Sequence, residues 1–184
     1  MVSTRCLEAG FRSAGLEIAR QPLSDRQYDR ESPPSGKWRK RGEKNQAIGV
    51  SRGGRTTKIH AAVDSKGRPL NFTLTGGHVH DSQVVDEVLD TPNSPLAVTA
   101  DKAYDSQKVR QQIKDEGALP IIPNRSNATK KAYCPKRFYR RRYKIENFFC
   151  RIKDWRRIAT RYDKLARNYL AAAAIVGALV WIKL

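Results

Sequence analysis

Cysteine is scarce in this 184-residue chain, and what there is does not pair. Cys6, Cys134 and Cys150 are odd in number and have no C-x-x-C spacing. That excludes a disulfide framework and a finger-type zinc site, and points to a reducing compartment. Long apolar runs are also missing. The most apolar stretch, Tyr169 to Ile182, falls short of the ~20 residues a bilayer span needs, so an alanine-rich core helix is expected there. The N-terminus lacks the apolar run of a signal peptide. A cytoplasmic protein with no membrane partner is therefore expected. Acidic residues are the third shortage. The 18 Asp+Glu stand against 36 Lys+Arg, a formal net charge of +18. Such an excess says little about fold and much about partners, which must be polyanionic. The length suits one domain and is enough to bury a core.

Residues 1–46 read differently from the rest. Arg12, Arg20, Arg26 and Arg30 precede Ser32-Pro33-Pro34-Ser35-Gly36 and the basic run Lys37-Trp38-Arg39-Lys40-Arg41. Apolar residues there hold no sustained period, apart from a short, weak helical pattern over Leu7 to Ala19. The composition predicts a disordered basic arm.

Beyond it the punctuation is regular. Thr57 to Val63 reads as a strand, Asp64-Ser65-Lys66-Gly67 as a turn, and Leu70, Phe72 and Leu74 alternate at period two. These predict a β-hairpin ending at Gly76-Gly77. Asp81 or Ser82 is expected to cap a helix carrying Val84, Val85, Val88 and Leu89. Leu96 to Ala100 reads as a strand buried on both faces and ending at Asp101. Asp105 or Ser106 then caps a helix with Val109 and Ile113, closed by Gly117, and Leu119 to Ile122 is a further buried strand. The order predicts an α/β domain with a mixed sheet and flanking helices.

Residues 125–167 carry most of the basic excess, against only Glu146, Asp154 and Asp163. Tyr133, Phe138, Tyr139, Tyr143, Phe148, Phe149, Trp155 and Tyr162 are interleaved, which predicts ordered basic helix rather than tail. Folded basic helices with aromatic neighbours favour nucleic acid over lipid. On that helix Tyr139, Arg142, Glu146 and Lys153 fall within an arc of about 60° at ~100° per residue. Ile145, Phe149 and Ile152 form the adjoining core stripe. A plain i, i+4 ion pair accounts for Arg142 with Glu146 taken alone. Asp101 adds a second carboxylate at the carboxyl end of a buried strand, where α/β sheets place their ligands. Two carboxylates in a polyanion-binding chain suggest divalent-metal phosphodiester chemistry, since Mg²⁺ prefers carboxylate oxygens and leaves positions for phosphate.

At these residues the chain closely resembles the DDE transposases of bacterial insertion sequences. The segments that carry the likeness are Ile48 to His60, Leu74 to Ser82, Ala100 to Asp105 and Arg142 to Phe149. Tyr139, Arg142, Glu146 and Lys153 also reproduce the family's Y-x2-R-x3-E-x6-K signature. The resemblance covers 47–184 and implies a catalytic domain of ribonuclease-H-like fold. It implies Asp101 and Glu146 as the second and third acidic metal ligands, holding Mg²⁺ or Mn²⁺ in a two-metal site. It also implies DNA partners, namely terminal inverted repeats and target DNA, a homodimer in the synaptic complex, and a nucleoid-associated location in a bacterium. The expected activity is strand cleavage at element ends followed by strand transfer. Arg52, Arg55, Tyr139, Arg142, Lys153, Arg156, Arg157 and Arg161 are the expected DNA contacts.

One departure stands out. The family's first catalytic Asp lies on the first sheet strand, upstream of Gly49, in an Asp-Ser/Gly-Thr-like motif. Here that region reads Tyr28-Asp29-Arg30-Glu31-Ser32-Pro33-Pro34-Ser35-Gly36, which two prolines and little apolar surface exclude from a strand. Asp29 lacks the matching context and Asp64 belongs to the hairpin turn. The first strand and first metal ligand are thus expected to be missing, as in a truncated or frameshifted product. That leaves an alternative function, a catalytically inactive DNA-binding remnant that modulates transposition. His78, His80 and Asp81 are read as a helix entry loop and cap rather than a transition-metal site. Ser51 to Arg55 lacks nucleotide-loop spacing and is read as a DNA-backbone contact.

Overall fold

Six strands form one mixed sheet in the computed structural model, which describes residues 15–24, 46–51, 54–91, 94–128 and 131–182. The expected hairpin is present as β3 (Gly54–Val63) and β4 (Pro69–Gly76), paired antiparallel with Ile59 opposite Leu74. Asp64 builds its turn. Its Oδ1 accepts from the N–H groups of Lys66 and Arg68 at 2.8 and 2.9 Å, and its Oδ2 accepts from the Arg68 guanidinium. Gly67 supplies the positive φ of 83° that the turn needs. A short β2 (Gly49–Ser51) pairs with the start of β3.

The first strand is not missing. Gly15–Ser24 forms β1 and lies in the middle of the sheet, antiparallel to β3 and parallel to β5 (Ala97–Ala100). The expectation of a strandless arm over 1–46 therefore fails at 15–24. So does the weak helix expected to run to Ala19. The rest of that arm, up to residue 45, lies outside the described residues. Strand formation here draws on partners on both sides, Val63 and Thr99 flanking Glu17, rather than on local propensity. Pro22 falls beyond Ile18, where pairing with β5 has ended, so its missing N–H costs only one ladder.

β5 and β6 (Leu119–Ile121) are parallel and complete the path β2-β3-β1-β5-β6, with β4 on β3. The crossover between them contains α2 (Gln107–Asp115), whose N-cap is Ser106, its Oγ accepting from the Val109 N–H at 3.2 Å. Gly117, at φ 77°, ends it. The α1 helix (Val85–Leu89) is shorter than expected and carries no side-chain cap bond. Asp81 does not cap it. Its carboxylate is buried against the Lys58 ammonium at 3.2 Å, a tertiary pairing that sequence spacing did not disclose.

The sheet is covered on both faces. On one, Ile59, Ala61 and Val63 of β3 meet Ile145, Phe148, Phe149 and Ile152 of α4 (Tyr143–Lys153) and the C-terminal α6 (Ala166–Ile182). On the other, Ile18, Ala62, Val98 and Ala100 meet Val85, Val88, Tyr104, Val109 and Ile113. The expected terminal core helix is α6, which buries Tyr169, Ala173, Val176 and Val180. Full burial of an aliphatic side chain of this size contributes about 1.5–3 kcal/mol. Two single turns, α3 (Lys136–Tyr139) and α5 (Arg156–Ala159), flank α4. No helix among the described residues is long and apolar enough to cross a membrane.

Candidate functional site

Asp101 leaves the sheet at the carboxyl end of β5 and caps the following 3₁₀ turn (Lys102–Tyr104), its Oδ1 accepting from the Lys102 N–H at 2.6 Å. This cap points the second carboxylate oxygen away from the turn. Glu146 arrives from a different element, the first turn of α4, which the buried stripe of Ile145, Phe148, Phe149 and Ile152 presses against the sheet. Residues 140–142 form a 3₁₀ turn between α3 and α4, so the helical face expected over Tyr139 to Lys153 is tightened near its start.

Arg142 joins the two acids. Its Nη1 lies 3.1 Å from Glu146 Oε1 and its Nη2 lies 3.7 Å from Asp101 Oδ2. The sequence offers the Glu146 pair as an ordinary i, i+4 bridge. The fold adds Asp101 to the same guanidinium. Both carboxylates remain accessible to solvent, at 35% and 55% of their side-chain surface. Nearby, Thr99 Oγ1 and Arg142 Nε are buried with no hydrogen-bond partner. Uncompensated polar atoms are rare in folded interiors.

Tyr139 completes the cluster. Burial pushes its phenol above the ordinary value; Arg142 opposes that shift, and Asp101, Cys134 and Glu146 add to it. The group is therefore a neutral O–H at physiological pH. Cys134, close by, is likewise pushed up by burial, with Arg110 lowering and Asp105 raising it, so its thiol is a poor nucleophile.

The expected DNA contacts separate into distinct groups. Lys153, Arg156 and Arg157 are exposed around the end of α4, Arg157 at 3.5 Å from Asp163. Arg55 is half-buried in the β2–β3 hairpin and Arg52 lies outside the described residues. Arg142 is engaged by the acids. Arg161 does not fit the expectation. It is 3% exposed, and its guanidinium donates to Thr57 Oγ1 and to the carbonyls of Asp163, Lys164 and Ala47. Basic density around Glu146 places it among surface residues in the sequence, whereas the fold makes it an internal tie.

The backbone of β1 brings one acidic residue into register with β5. Glu17 of β1 pairs in register with Thr99, and Ile18 with Ala100. One step on, Ala19 follows Ile18 as Asp101 follows Ala100. The alternation Leu16-Glu17-Ile18-Ala19 was the available signal, too short to stand out in an arginine-rich arm. Among the described residues, no three His, Cys, Asp or Glu side chains gather closely enough to hold a metal ion.

Two models of the transposase DDE domain match the chain, over residues 29–137 and 98–183. The first match begins inside the stretch expected to lie outside the family. A protein named as a transposase for insertion sequence element IS6501, from Brucella ovis, is 32% identical over 132 residues, covering 70% of this chain and 99% of that protein. Another, named for element IS402 of Burkholderia cepacia, is 26% identical over 121 residues, or 60% of this chain and 55% of that protein. This chain thus matches nearly all of the first relative's length and about half of the second's.

Proposed function

Because the chain belongs to the transposase DDE-domain family, we propose that it acts on the DNA ends of an insertion sequence, by metal-dependent cleavage followed by transfer of the freed 3′ end. The observation that carries this reading is the convergence of Asp101 and Glu146, from separate elements, on the single cation of Arg142. Two carboxylates gathered around one cationic group are the kind of donors that a divalent cation would draw together. Their hard oxygen donors and partial exposure suit Mg²⁺ or Mn²⁺ with phosphate in the remaining positions. An ion held there supplies Lewis-acid charge to a phosphoryl oxygen.

The chain's own groups have defined tasks in this reading. Asp101 and Glu146 hold the ion, with Asp101 oriented by its cap on the Lys102 N–H. Arg142 orients both carboxylates. The neutral phenol of Tyr139 donates a hydrogen bond to a phosphate oxygen without adding charge. Lys153, Arg156 and Arg157 hold the backbone as it passes the end of α4, while Arg55 does so at the β2–β3 hairpin. Because β1 and β3 extend beyond the end of β5, that hairpin lies at the same end of the sheet as Asp101. A central β1, antiparallel to β3 and parallel to β5, supports a ribonuclease-H-like arrangement. Holding two element ends together calls for a homodimer.

A second reading, a non-catalytic DNA-binding chain that modulates transposition, is favoured by one observation. The residue of β1 level with Asp101 is Ala19, and the strand's acid, Glu17, stands two positions earlier. Incubating the full chain with terminal inverted-repeat DNA and Mg²⁺ or Mn²⁺ separates the two. Cleavage that Asp101→Asn and Glu146→Gln each abolish supports the enzyme. Tight binding without cleavage supports the second reading. Absence of DNA binding overturns both.

A further inference from the structure

On the opposite side of the Asp101–Tyr104 turn from α4 lies a cavity of about 660 Å³. Its walls include Lys58, His78, His80, Lys102, Arg125 and Asn127. The face is fixed by the alternation of β3. Ile59 and Ala61 point to the α4 side, whereas His60 bonds Tyr104 and Ala62 packs with it on the other. Lys58 shares that second face. The cavity and the acid pair therefore stand back to back at the carboxyl end of β5, with Asp101 and Lys102, adjacent in sequence, serving one each.

The cavity's charge is unbalanced. Its one acid, Asp81, is consumed by Lys58, whose Nζ also donates to the Val79 carbonyl at 2.7 Å. Neither the Lys102 ammonium nor the Arg125 guanidinium makes an ion pair with a carboxylate among the described residues. The Arg125 backbone N–H donates to Asp105 Oδ2 and its guanidinium to the Ala103 carbonyl, which anchors the arginine at the rim rather than letting it sweep through solvent. Two cations face a concave surface that adds imidazole, hydroxyl and amide groups from His78, His80, Ser126 and Asn127. A concave cationic wall focuses potential and draws anions more strongly than the same charges on a flat face. The volume is within the range of nucleotide-sized ligand sites.

We propose that this cavity binds a phosphodiester group of the DNA other than the one presented to Asp101 and Glu146. It is a second backbone anchor that fixes where the strand lies relative to the acids. The inference rests on the DNA-processing reading for its ligand, while the anion site itself stands on the cavity's own geometry.

The test compares the full-length chain with Lys102→Ala/Arg125→Ala and with Lys102→Glu, which severs no hydrogen bond made by a side chain. A charge-matched control, Lys108→Ala/Lys114→Ala, removes the same charge from the exposed face of α2. Affinity for terminal-repeat DNA is measured against salt, and thermal stabilisation by inorganic tripolyphosphate is measured without DNA. Loss of the one phosphate contact should lower the log–log salt slope by about 0.9 and weaken binding about tenfold near 0.1 M salt. The control should change the slope by less than half as much, and only the cavity variants should lose tripolyphosphate stabilisation. Equal DNA binding by wild type and cavity variants, or an equal loss in the control, overturns the cavity and leaves the DNA reading intact. Tripolyphosphate stabilisation of the wild type alone, with no DNA binding by any protein, overturns the DNA ligand and keeps the anion site. No response to either anion overturns both.

Discussion

Arg161 Nη1 donates to Thr57 Oγ1 at 2.6 Å, a bond between residues 104 positions apart that ties the loop after α5 to the start of β3. Thr57 Oγ1 in turn donates to the Ala47 carbonyl at 2.7 Å, and the guanidinium lies 5.4 Å from the centre of the Tyr169 ring. One buried side chain thus links the approach to β2, the sheet and the start of α6. Arg161→Met should destabilise the fold by about 2–4 kcal/mol, because several acceptors lose a charged donor inside the protein. Arg161→Lys should recover little, as an ammonium cannot reproduce the planar fork. Chemical denaturation measures the stability. DNA affinity of the folded fraction should stay within about twofold, as expected of a charge that DNA does not reach.

The Lys58–Asp81 pair is buried on both sides. Lys58→Met leaves a buried carboxylate without its ammonium and should cost about 3–5 kcal/mol. Lys58→Met/Asp81→Leu should be the more stable of the two proteins, since the isolated charge is gone. Urea midpoints of the single and double variants report the sign directly.

Asp64 sets an acid-side dependence. Burial raises its pKa, but hydrogen bonds from the Arg68 side chain and from the Arg68 and Lys66 backbones, with the Arg68 charge, outweigh burial and leave it below the ordinary 3.8. A carboxyl that ionises more readily folded than unfolded contributes stability that is complete above its unfolded pKa, about 4. That contribution fades as pH falls through the lower folded value. Asp64→Asn should therefore lose about 1–3 kcal/mol at pH 7. The gap from wild type should close toward pH 2, as followed by melting temperature across the acid range.

Gly177 of α6 sits against β4. A Cβ built there would lie 2.9 Å from Phe72 Cε2 and 3.1 Å from Pro69 Cγ. Phe72 cannot retreat freely, since its ring packs on Phe148 with centroids 5.8 Å apart. Gly177→Ala should gain up to ~1 kcal/mol of helix propensity and lose about 1–3 kcal/mol to overpacking, a net destabilisation. In a Phe72→Leu background the penalty should shrink by at least half. A double-mutant cycle in urea gives the coupling.

Much was legible in sequence because it was local. The β3–β4 hairpin follows from alternation around Asp64 and Gly67, α2 from its Ser106 cap and Gly117 stop, and α6 from an alanine-rich apolar stretch. Asp101 and Glu146 were likewise visible, one by its place after a buried strand and the other by a helical signature. Their meeting on Arg142 was visible only by half, as the i, i+4 pair.

The rest depended on contacts between distant segments. Local sequence suffices for a basic α/β chain, its principal strands and helices beyond the arm, and the two acids that single it out. Tertiary structure decided that Gly15–Ser24 is a central strand, that Asp81 neutralises Lys58, and that Arg161 is internal. The physical reason is the same in each case. A strand with few apolar residues is held by ladders on both edges, and a charge becomes structural only when a distant chain segment removes it from water. Neither condition is written within a window of neighbouring residues.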